Sequence, residues 1–286
     1  MPHTLLIDQL ATLADLPDVR AKSEAAREAC TGLRFHEALR RRIPEASAES
    51  RVRGAHASAG LDGAQLPLDA VRELMSGARP WPDDPDPAVQ VVRGAVAATA
   101  ESERVVSLVR TAPLQAMARL HVAAMGHVLD PDEVGRPRIA GEPSEEFVDL
   151  GPAPAPAEVS ARLAHLSEVV VAGAAAANRV PALVVAALVH AEIAHIRPFV
   201  RGNGLVARAM ERALIQALGL DPTGVAVPEA GHVANGGPAY LGALAAYGEG
   251  SGPGVGLWLA QCADALLAGV AEGERICDAV RAGRLG

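Results

Sequence analysis

Residues 197–208 read Arg-Pro-Phe-Val-Arg-Gly-Asn-Gly-Leu-Val-Ala-Arg, which places a glycine-flanked turn directly before an amphipathic helix. Pro198 stops the preceding helix, and Gly202 and Gly204 permit backbone conformations closed to other residues. The helix is predicted to begin near Leu205, so its first free N–H groups point into the turn. This arrangement predicts an anion site that suits phosphate.

Three arginines surround the same turn, and arginine is suited to forked recognition of phosphate oxygens. Uncompensated arginines at a helix N-terminus repel one another and the helix dipole, so we expect a bound anion or nearby carboxylates, Asp62 among them. The predicted nucleotide- or anion-binding residues are Arg197, Arg201, Gly202, Asn203, Gly204 and Arg208.

The stretch resembles the signature of the Fic (Fido-domain) family, His-Pro-Phe-x-Asp/Glu-Gly-Asn-Gly-Arg-x-x-Arg. The resemblance implies a helical Fido fold and an ancestral transfer of AMP from a nucleotide onto a protein hydroxyl. The family's catalytic histidine falls on Arg197, its metal-binding acid on Arg201 and its first arginine on Leu205. The positions that agree are Pro198, Phe199, Gly202, Asn203, Gly204 and Arg208.

The resemblance extends beyond this motif to roughly residues 50–250. Further matching features follow in the family's order, namely Leu120-His121, Gly135-Arg136, the proline-rich run from Pro152 to Pro156 and the helix that carries His190.

A second segment, Ser58-Ala59-Gly60-Leu61-Asp62-Gly63, is similar to the family's inhibitory helix, Ser/Thr-x-x-x-Glu-Gly/Asn. The resemblance implies regulatory roles for Ser58, Asp62 and Gly63, with Asp62 pairing with Arg208 and blocking productive nucleotide binding. The alternative is that Asp62-Gly63 is an ordinary turn.

Composition excludes several classes of protein. The net charge is −8 over 286 residues, aromatic residues make up 2%, and Lys22 is the only lysine. A P-loop, a protein kinase and a Schiff-base enzyme each need a lysine that cannot be placed here. The acidic balance argues against a nucleic-acid module, and Arg40-Arg41-Arg42 is interpreted as a solvated helix face.

No membrane association is expected, because we find no apolar run that approaches the roughly 20 residues of a membrane span. The first residues lack the pattern of a signal peptide, so the expected location is cytoplasmic. Cys30, Cys262 and Cys277 are too few and too scattered for a disulfide framework or a zinc site, and we interpret them as small buried thiols.

Helical periodicity dominates the chain, which predicts an all-α, Fido-type helical bundle. The predicted helices span residues 5–14, 17–43, 45–57, 66–76, 87–111, 114–127, 157–176, 180–196, 205–218 and 254–282. Only residues 134–150 are compatible with a small β-hairpin flap, with Arg138-Ile139 and Phe147-Val148 as its extended pieces; an irregular loop is the alternative. We divide the chain into an N-terminal helical region (1–82), a Fido core (83–250) and a C-terminal helix packed on the core (251–286).

The predicted helix 205–218 has an apolar stripe that Leu205 extends, which weakens the case for triphosphate binding. Arg208, Glu211 and Arg212 fall on its other side.

His190 and His195 are five residues apart and therefore point in different directions, so no metal site is expected. His195 could be a displaced general base, but a histidine satisfied by hydrogen bonds is favoured.

Two functions follow from these observations. The first is a degenerate pseudoenzyme that binds a nucleotide or another anion and acts on a partner protein. The alternative is an active Fic-type adenylyltransferase, or another phosphate-group transferase, that uses non-standard residues. ATP or another phosphate-bearing ligand is expected, with magnesium in doubt because Arg201 replaces the acid. The expected partner is a protein target or regulator; a homodimer is left open.

Overall fold

The computed structural model describes residues 2–284, which form twelve α-helices and no β-strand. The predicted all-α fold is thereby confirmed. The helices are α1 (Pro2–Ala14), α2 (Pro17–Arg34), α3 (Ile43–Leu61), α4 (Leu68–Ser76), α5 (Pro87–Arg104), α6 (Pro113–Met125), α7 (Pro156–Ala175), α8 (Ala182–Ile196), α9 (Asn203–Ala217), α10 (Pro228–Ala234), α11 (Gly237–Gly248) and α12 (Gly252–Arg281). One-turn 3₁₀ helices lie at Glu37–Arg40 and Val148–Leu150.

Several helix boundaries differ from the predictions. The segment predicted as one helix over 17–43 breaks after Arg34, and the 3₁₀ turn at Glu37–Arg40 precedes α3. The two short helices α10 and α11 were not predicted. Many helices begin with proline in the first turn, where the missing N–H costs nothing, as in α2, α3, α5, α6 and α7.

The predicted hairpin flap at residues 134–150 is not formed; the segment is a series of turns and irregular loop. Phe147 adopts a left-handed backbone with φ 52°, which interrupts the extended piece expected there. The backbone N–H of Arg138 donates to the carbonyl of Pro198 at 2.7 Å, so it pairs with the motif turn instead of a hairpin partner. We refer to residues 139–151 as the flap loop.

Helices α8 and α9 form the centre of the bundle. Every residue of α9 from Asn203 to Ile215 is buried, and most of α8 is buried as well. Polar residues Arg208, Glu211 and Arg212 therefore lie inside the protein, because α9 is packed on all sides. The expectation that they form an outer face was wrong.

Helix α12 packs along α2, α10 and α11. A Cβ on Gly231 of α10 would lie 1.7 Å from the Ala265 carbonyl oxygen of α12, so only glycine allows the two backbones to approach this closely.

By length and composition α12 could cross a membrane, contrary to our interpretation of the sequence. Just over half of its most apolar window is buried inside the bundle, which is also typical of the core helix of a soluble protein.

The buried core contains residues from all three predicted regions, such as Leu33, Met210 and Leu266. The division of the chain into domains stays a prediction.

Cys30, Cys262 and Cys277 are buried free thiols, as the sequence indicated. Burial raises the pKa of the Cys30 thiol to about 12 and that of Cys277 to about 11, so both are poor nucleophiles at neutral pH.

Candidate functional site

The motif forms the connection between the two central helices. Helix α8 ends at Ile196, and Arg197 adopts a left-handed backbone with φ 45° that turns the chain out of the helix. Gly202 has φ 83°, and α9 begins at Asn203, two residues before the predicted start. A Cβ on Gly202 would lie 2.6 Å from Cγ of Met125, so both conformation and space require glycine here.

Asn203 and Phe199 hold the turn in shape. The Asn203 Oδ1 accepts a hydrogen bond from the Phe199 backbone N–H at 2.9 Å, and Asn203 Nδ2 donates to the Phe199 carbonyl at 2.9 Å. The Phe199 ring stacks on the His121 ring at 3.8 Å between centroids. His121 Nδ1 accepts from Gly135 N–H, so its Nε2–H donates to the Arg201 carbonyl at 3.0 Å. The residues that fix the shape of the turn are thus fully engaged.

The backbone N–H groups of Gly202 and Asn203, with the Asn203 side-chain amide, form what we call the anion nest. The carboxylate of Glu146, on the flap loop, lies in it. Glu146 Oε1 accepts from Gly202 N–H at 2.6 Å, and Oε2 accepts from Asn203 N–H at 2.8 Å and from Nδ2 at 2.7 Å. Burial, followed by the charge of Asp62, raises the pKa of Glu146. Gly202 and Asn203 thus hold an acid of the same chain, and binding of an external anion here stays a prediction.

Glu146 was missed by the sequence reasoning. The only available signal was the acidic Glu145-Glu146 pair in a segment of unsettled structure, opposite a turn predicted to attract anions. Which of the two acids reaches the nest depends on the path of the flap loop.

Arg197 holds this loop in place. Its side chain is 2% exposed, and Nη1 donates to the carbonyls of Glu146, Phe147 and Gly151 at 3.1, 3.3 and 2.9 Å. Burial lowers the pKa of Arg197, and the neighbouring Arg138 lowers it further. The guanidinium therefore binds the flap loop and does not point into the anion nest, while Arg201 is exposed at the mouth of the cleft described below.

The predicted pair between the inhibitory segment and the motif is present. Asp62 caps α3, and its Oδ1 lies 2.8 Å from Arg208 Nη2. Arg208 also donates from Nε to Ser58 Oγ at 2.8 Å and from Nη2 to the Ser58 carbonyl at 3.0 Å. Burial alone would lower the pKa of Arg208, but Asp62 and Tyr240 raise it above its ordinary value. Gly63 follows with φ 80°, which ends the helix.

Gly204 allows the pair to lie against the turn. A Cβ at this position would lie 2.9 Å from Asp62 Oδ1 and 3.0 Å from Arg208 Nη1. Asp62 is one methylene shorter than the glutamate of the family pattern. It still reaches Arg208, because Gly204 of α9 has no side chain between them.

A cleft of about 920 Å³ opens beside the anion nest. Leu205 and Arg201 line it, so the position of the family's first arginine is an apolar wall here. The cleft is strongly acidic, and the carboxylates that line it are Asp62, Glu133, Glu142, Glu145, Glu146 and Asp149. Glu142 is paired with Arg136 at 2.7 Å, which holds the pKa of that acid low, at about 2.

His195 lies away from this cleft. Its Nε2 contacts the Leu244 carbonyl of α11 at 2.8 Å, and its ring packs beside Tyr247. It does not line the cleft. The geometry favours the satisfied histidine over the displaced base.

His190 lies in the core instead, as the spacing of five residues implied. Its Nδ1 is 2.6 Å from Oε2 of Glu211, and His232 Nε2 is 3.0 Å from the same oxygen. Arg212, the next residue along α9, is paired bidentately with Glu229 at 2.8 Å. A buried polar network thus lies behind the cleft, which the sequence did not predict.

Comparisons with known proteins concern the motif region and the overall fold. The model of the Fic/DOC family matches residues 111–215, which span α6, α7, α8, the motif turn and most of α9. No curated protein matches the chain significantly.

Solved structures resemble the whole fold. A Fic family protein from Desulfovibrio desulfuricans G20 has a TM-score of 0.63 at 22% identity, covering 93% of this chain and 74% of that one. Fic-1 (residues 134–508) from C. elegans has a TM-score of 0.66 at 17% identity, covering 93% and 73%. A Fic domain containing signaling protein from Bacteroides thetaiotaomicron has a TM-score of 0.64 at 14% identity, covering 90% and 98%. Residues 111–215 therefore match the Fic/DOC family model, and the whole chain has a helical fold similar to that of the solved Fic proteins.

Proposed function

We propose that this protein is a Fic-fold pseudoenzyme whose cleft binds a phosphate-bearing ligand, such as ATP, next to the anion nest. The observation that carries the proposal is the Glu146 carboxylate, which accepts three hydrogen bonds from Gly202 and Asn203. Backbone N–H groups at a helix N-terminus that hold a carboxylate in this way offer the same donors to a phosphate.

Loss of transfer chemistry follows from the residues around the nest. Attack by a protein hydroxyl is normally assisted by a base, and the guanidinium of Arg197 cannot take a proton at neutral pH. Arg201 offers no oxygen to magnesium, which prefers carboxylate and phosphate oxygens. His195 contacts the Leu244 carbonyl and lies outside the cleft. The site retains donors that position an anion but lacks the groups that would activate a nucleophile.

Ligand binding requires the displacement of two internal acids. Glu146 lies in the nest, and Asp62 is paired with Arg208 at 2.8 Å. A phosphate therefore binds only those molecules in which both contacts are broken. Its apparent affinity is the intrinsic affinity multiplied by the fraction of such molecules. This competition supports a function that depends on occupancy of the site.

The acidic cleft favours a protein partner with a basic segment. Glu133, Glu145 and Asp149 line the cleft with negative charge. Arg201 lines the same cleft and carries a positive charge. Arginine or lysine side chains of a partner would be attracted to this wall. We propose that such a partner docks at the cleft, in the cytoplasm where nucleotides are available.

The alternative function is a transferase that works with non-standard residues. It would need Arg201 to supply the positive charge of the missing metal, and positioning alone to promote attack. Labelling by tagged ATP separates the two functions and is described among the predictions below.

Calorimetric titration tests the proposed ligand class. Wild-type protein is titrated with ATP, ADP and pyrophosphate, each with and without magnesium. We expect binding in the high micromolar to millimolar range, on the order of −4 to −5 kcal/mol, with little dependence on magnesium. Failure of all three ligands at millimolar concentration, in wild type and in Glu146→Gln alike, would contradict the proposal; so would binding that requires magnesium.

A further inference from the structure

The buried network behind the cleft contains a set of metal-ligating side chains. His190 of α8, Glu211 of α9 and His232 of α10 each contribute one nitrogen or oxygen atom, and these three atoms lie within 4.8 Å of one another. The two histidines are 0% exposed and Glu211 is 1% exposed. Both histidine nitrogens approach the same carboxylate oxygen, Oε2, at 2.6 and 3.0 Å.

Hydrogen bonds within the protein do not satisfy this network. Glu211 Oε1 and His232 Nδ1 are buried and have no partner among the described residues. An unpartnered carboxylate oxygen in the interior carries a desolvation cost, which is larger when the group is charged. The unpartnered Oε1 of Glu211 indicates that a further group belongs to this cluster.

The charged residues around Glu211 also indicate that the cluster needs a positive charge. The arginines on either side of Glu211 along α9 have other partners, because Arg208 pairs with Asp62 and Arg212 pairs with Glu229. Glu211 therefore contacts two imidazoles and no arginine. A buried carboxylate needs a positive charge close by, supplied either by a proton on one imidazole or by a cation.

We propose that His190 Nδ1, His232 Nε2 and the Glu211 carboxylate form a structural site for a divalent transition metal, Zn²⁺ being the best fit. Two imidazoles and a carboxylate are ligands that zinc accepts, whereas magnesium and calcium prefer all-oxygen sites. With bonds of about 2.0–2.1 Å and tetrahedral angles, neighbouring ligand atoms lie roughly 3.3 Å apart. The observed separations of 2.6 and 3.0 Å from Oε2 would have to open by about 0.7 and 0.3 Å.

The surroundings of His190 match those of a metal ligand. Its other ring nitrogen, Nε2, contacts the Tyr240 hydroxyl at 2.8 Å, and such a second contact usually orients a ligating histidine. The His232 ring stacks on Trp258 at 6.0 Å between centroids, which also fixes its plane. The site is closed off from the cleft, so the metal cross-links α8, α9 and α10 and takes no part in transfer chemistry. Because Tyr240 also lines the cleft, the metal would fix that wall.

Metal analysis of protein purified without a polyhistidine tag tests this proposal. We expect one zinc ion per chain after loading and dialysis, and a melting temperature that falls by roughly 5–10 °C when a strong chelator removes it. Glu211→Gln and His232→Gln should each lose stoichiometric metal. His121→Gln is the matched control, because His121 is equally buried but lies outside the cluster; it should keep the metal even where it lowers stability.

Folded wild-type protein that retains no stoichiometric zinc, iron, cobalt or nickel, and whose melting temperature responds to neither metal nor chelator, would overturn the proposal. The positive charge would then be a histidine proton. This readout needs no variant to fold, and it is independent of nucleotide binding, so it can fail while the proposed function stands.

Discussion

The carboxylate of Glu146 caps helix α9 at Asn203, where Oε2 accepts from the backbone N–H at 2.8 Å and from the side-chain amide at 2.7 Å. The nest that the motif creates for an anion is thus occupied by an acid from 57 residues earlier in the chain. Arg197, at the position of the family's catalytic histidine, holds the carbonyls of the same loop. The contacts of Glu146 and of Arg197 thus both attach the flap loop to the motif turn.

Replacing Glu146 by glutamine should strengthen phosphate binding. Glutamine removes the negative charge that competes at the N-terminus of α9, an interaction of about 1–2 kcal/mol in a buried setting, so pyrophosphate affinity should rise about tenfold. Glu145→Gln is the control: it removes the same charge from the same loop, but Glu145 is exposed. Equal gains in both variants would show a general charge effect and no specific occupation of the nest.

Asp62→Ala should strengthen nucleotide binding by freeing Arg208. Removing one partner of this pair leaves a buried arginine with Ser58 and Tyr240 as its remaining contacts, so we also expect a loss of about 1–3 kcal/mol in unfolding free energy. Calorimetry with ATP and denaturant unfolding measure the two effects. Asp69→Ala is the control, since Asp69 pairs with Arg72 at the surface. An unchanged or weaker ATP affinity in folded Asp62→Ala would show that this pair does not cover the binding site.

Wild-type protein should show no AMP transfer above background with alkyne-tagged ATP. Combining Arg197→His, Arg201→Asp, Leu205→Arg and Asp62→Ala restores the base, the metal-binding acid and the phosphate-binding arginine, and we expect labelling to appear. The same variant without Arg197→His serves as the control and should stay unlabelled. Strong labelling by wild type that disappears in His195→Ala would make His195 the working base and defeat this view.

Stability should fall on mild acidification, in part because of His121. Burial lowers its pKa from 6.5 to about 4, so the native state excludes a proton that the unfolded chain binds. Stability from this group is complete above pH 6.5 and is lost as pH falls towards 4, by about 2 kcal/mol between pH 6.5 and pH 5. Urea unfolding across this range should show a shallower slope in His121→Asn, while His165→Asn, at an exposed site, should match wild type. Identical slopes in all three proteins would exclude His121 as a source of the effect.

The helical class, the turn and the Asp62–Arg208 pair could all be predicted from the amino-acid sequence. Glycine at 202 and 204, asparagine at 203 and proline at 198 encode the turn through local backbone rules, which hold whatever packs around them. The Asp62–Arg208 pair was also predictable, because two family motifs each brought one partner and the expected contact is direct.

What occupies the turn, and which way its arginines point, depends on long-range packing and could not be predicted from the sequence. The flap loop has no periodic pattern, and its path depends on the left-handed Phe147 and on the contacts of Arg197, which no local rule predicts. The amphipathic reading of α9 failed for a related reason. Periodicity separates apolar from polar faces, but it cannot say that Glu211 and Arg212 meet His190 and Glu229 inside the protein, because those partners come from distant parts of the chain.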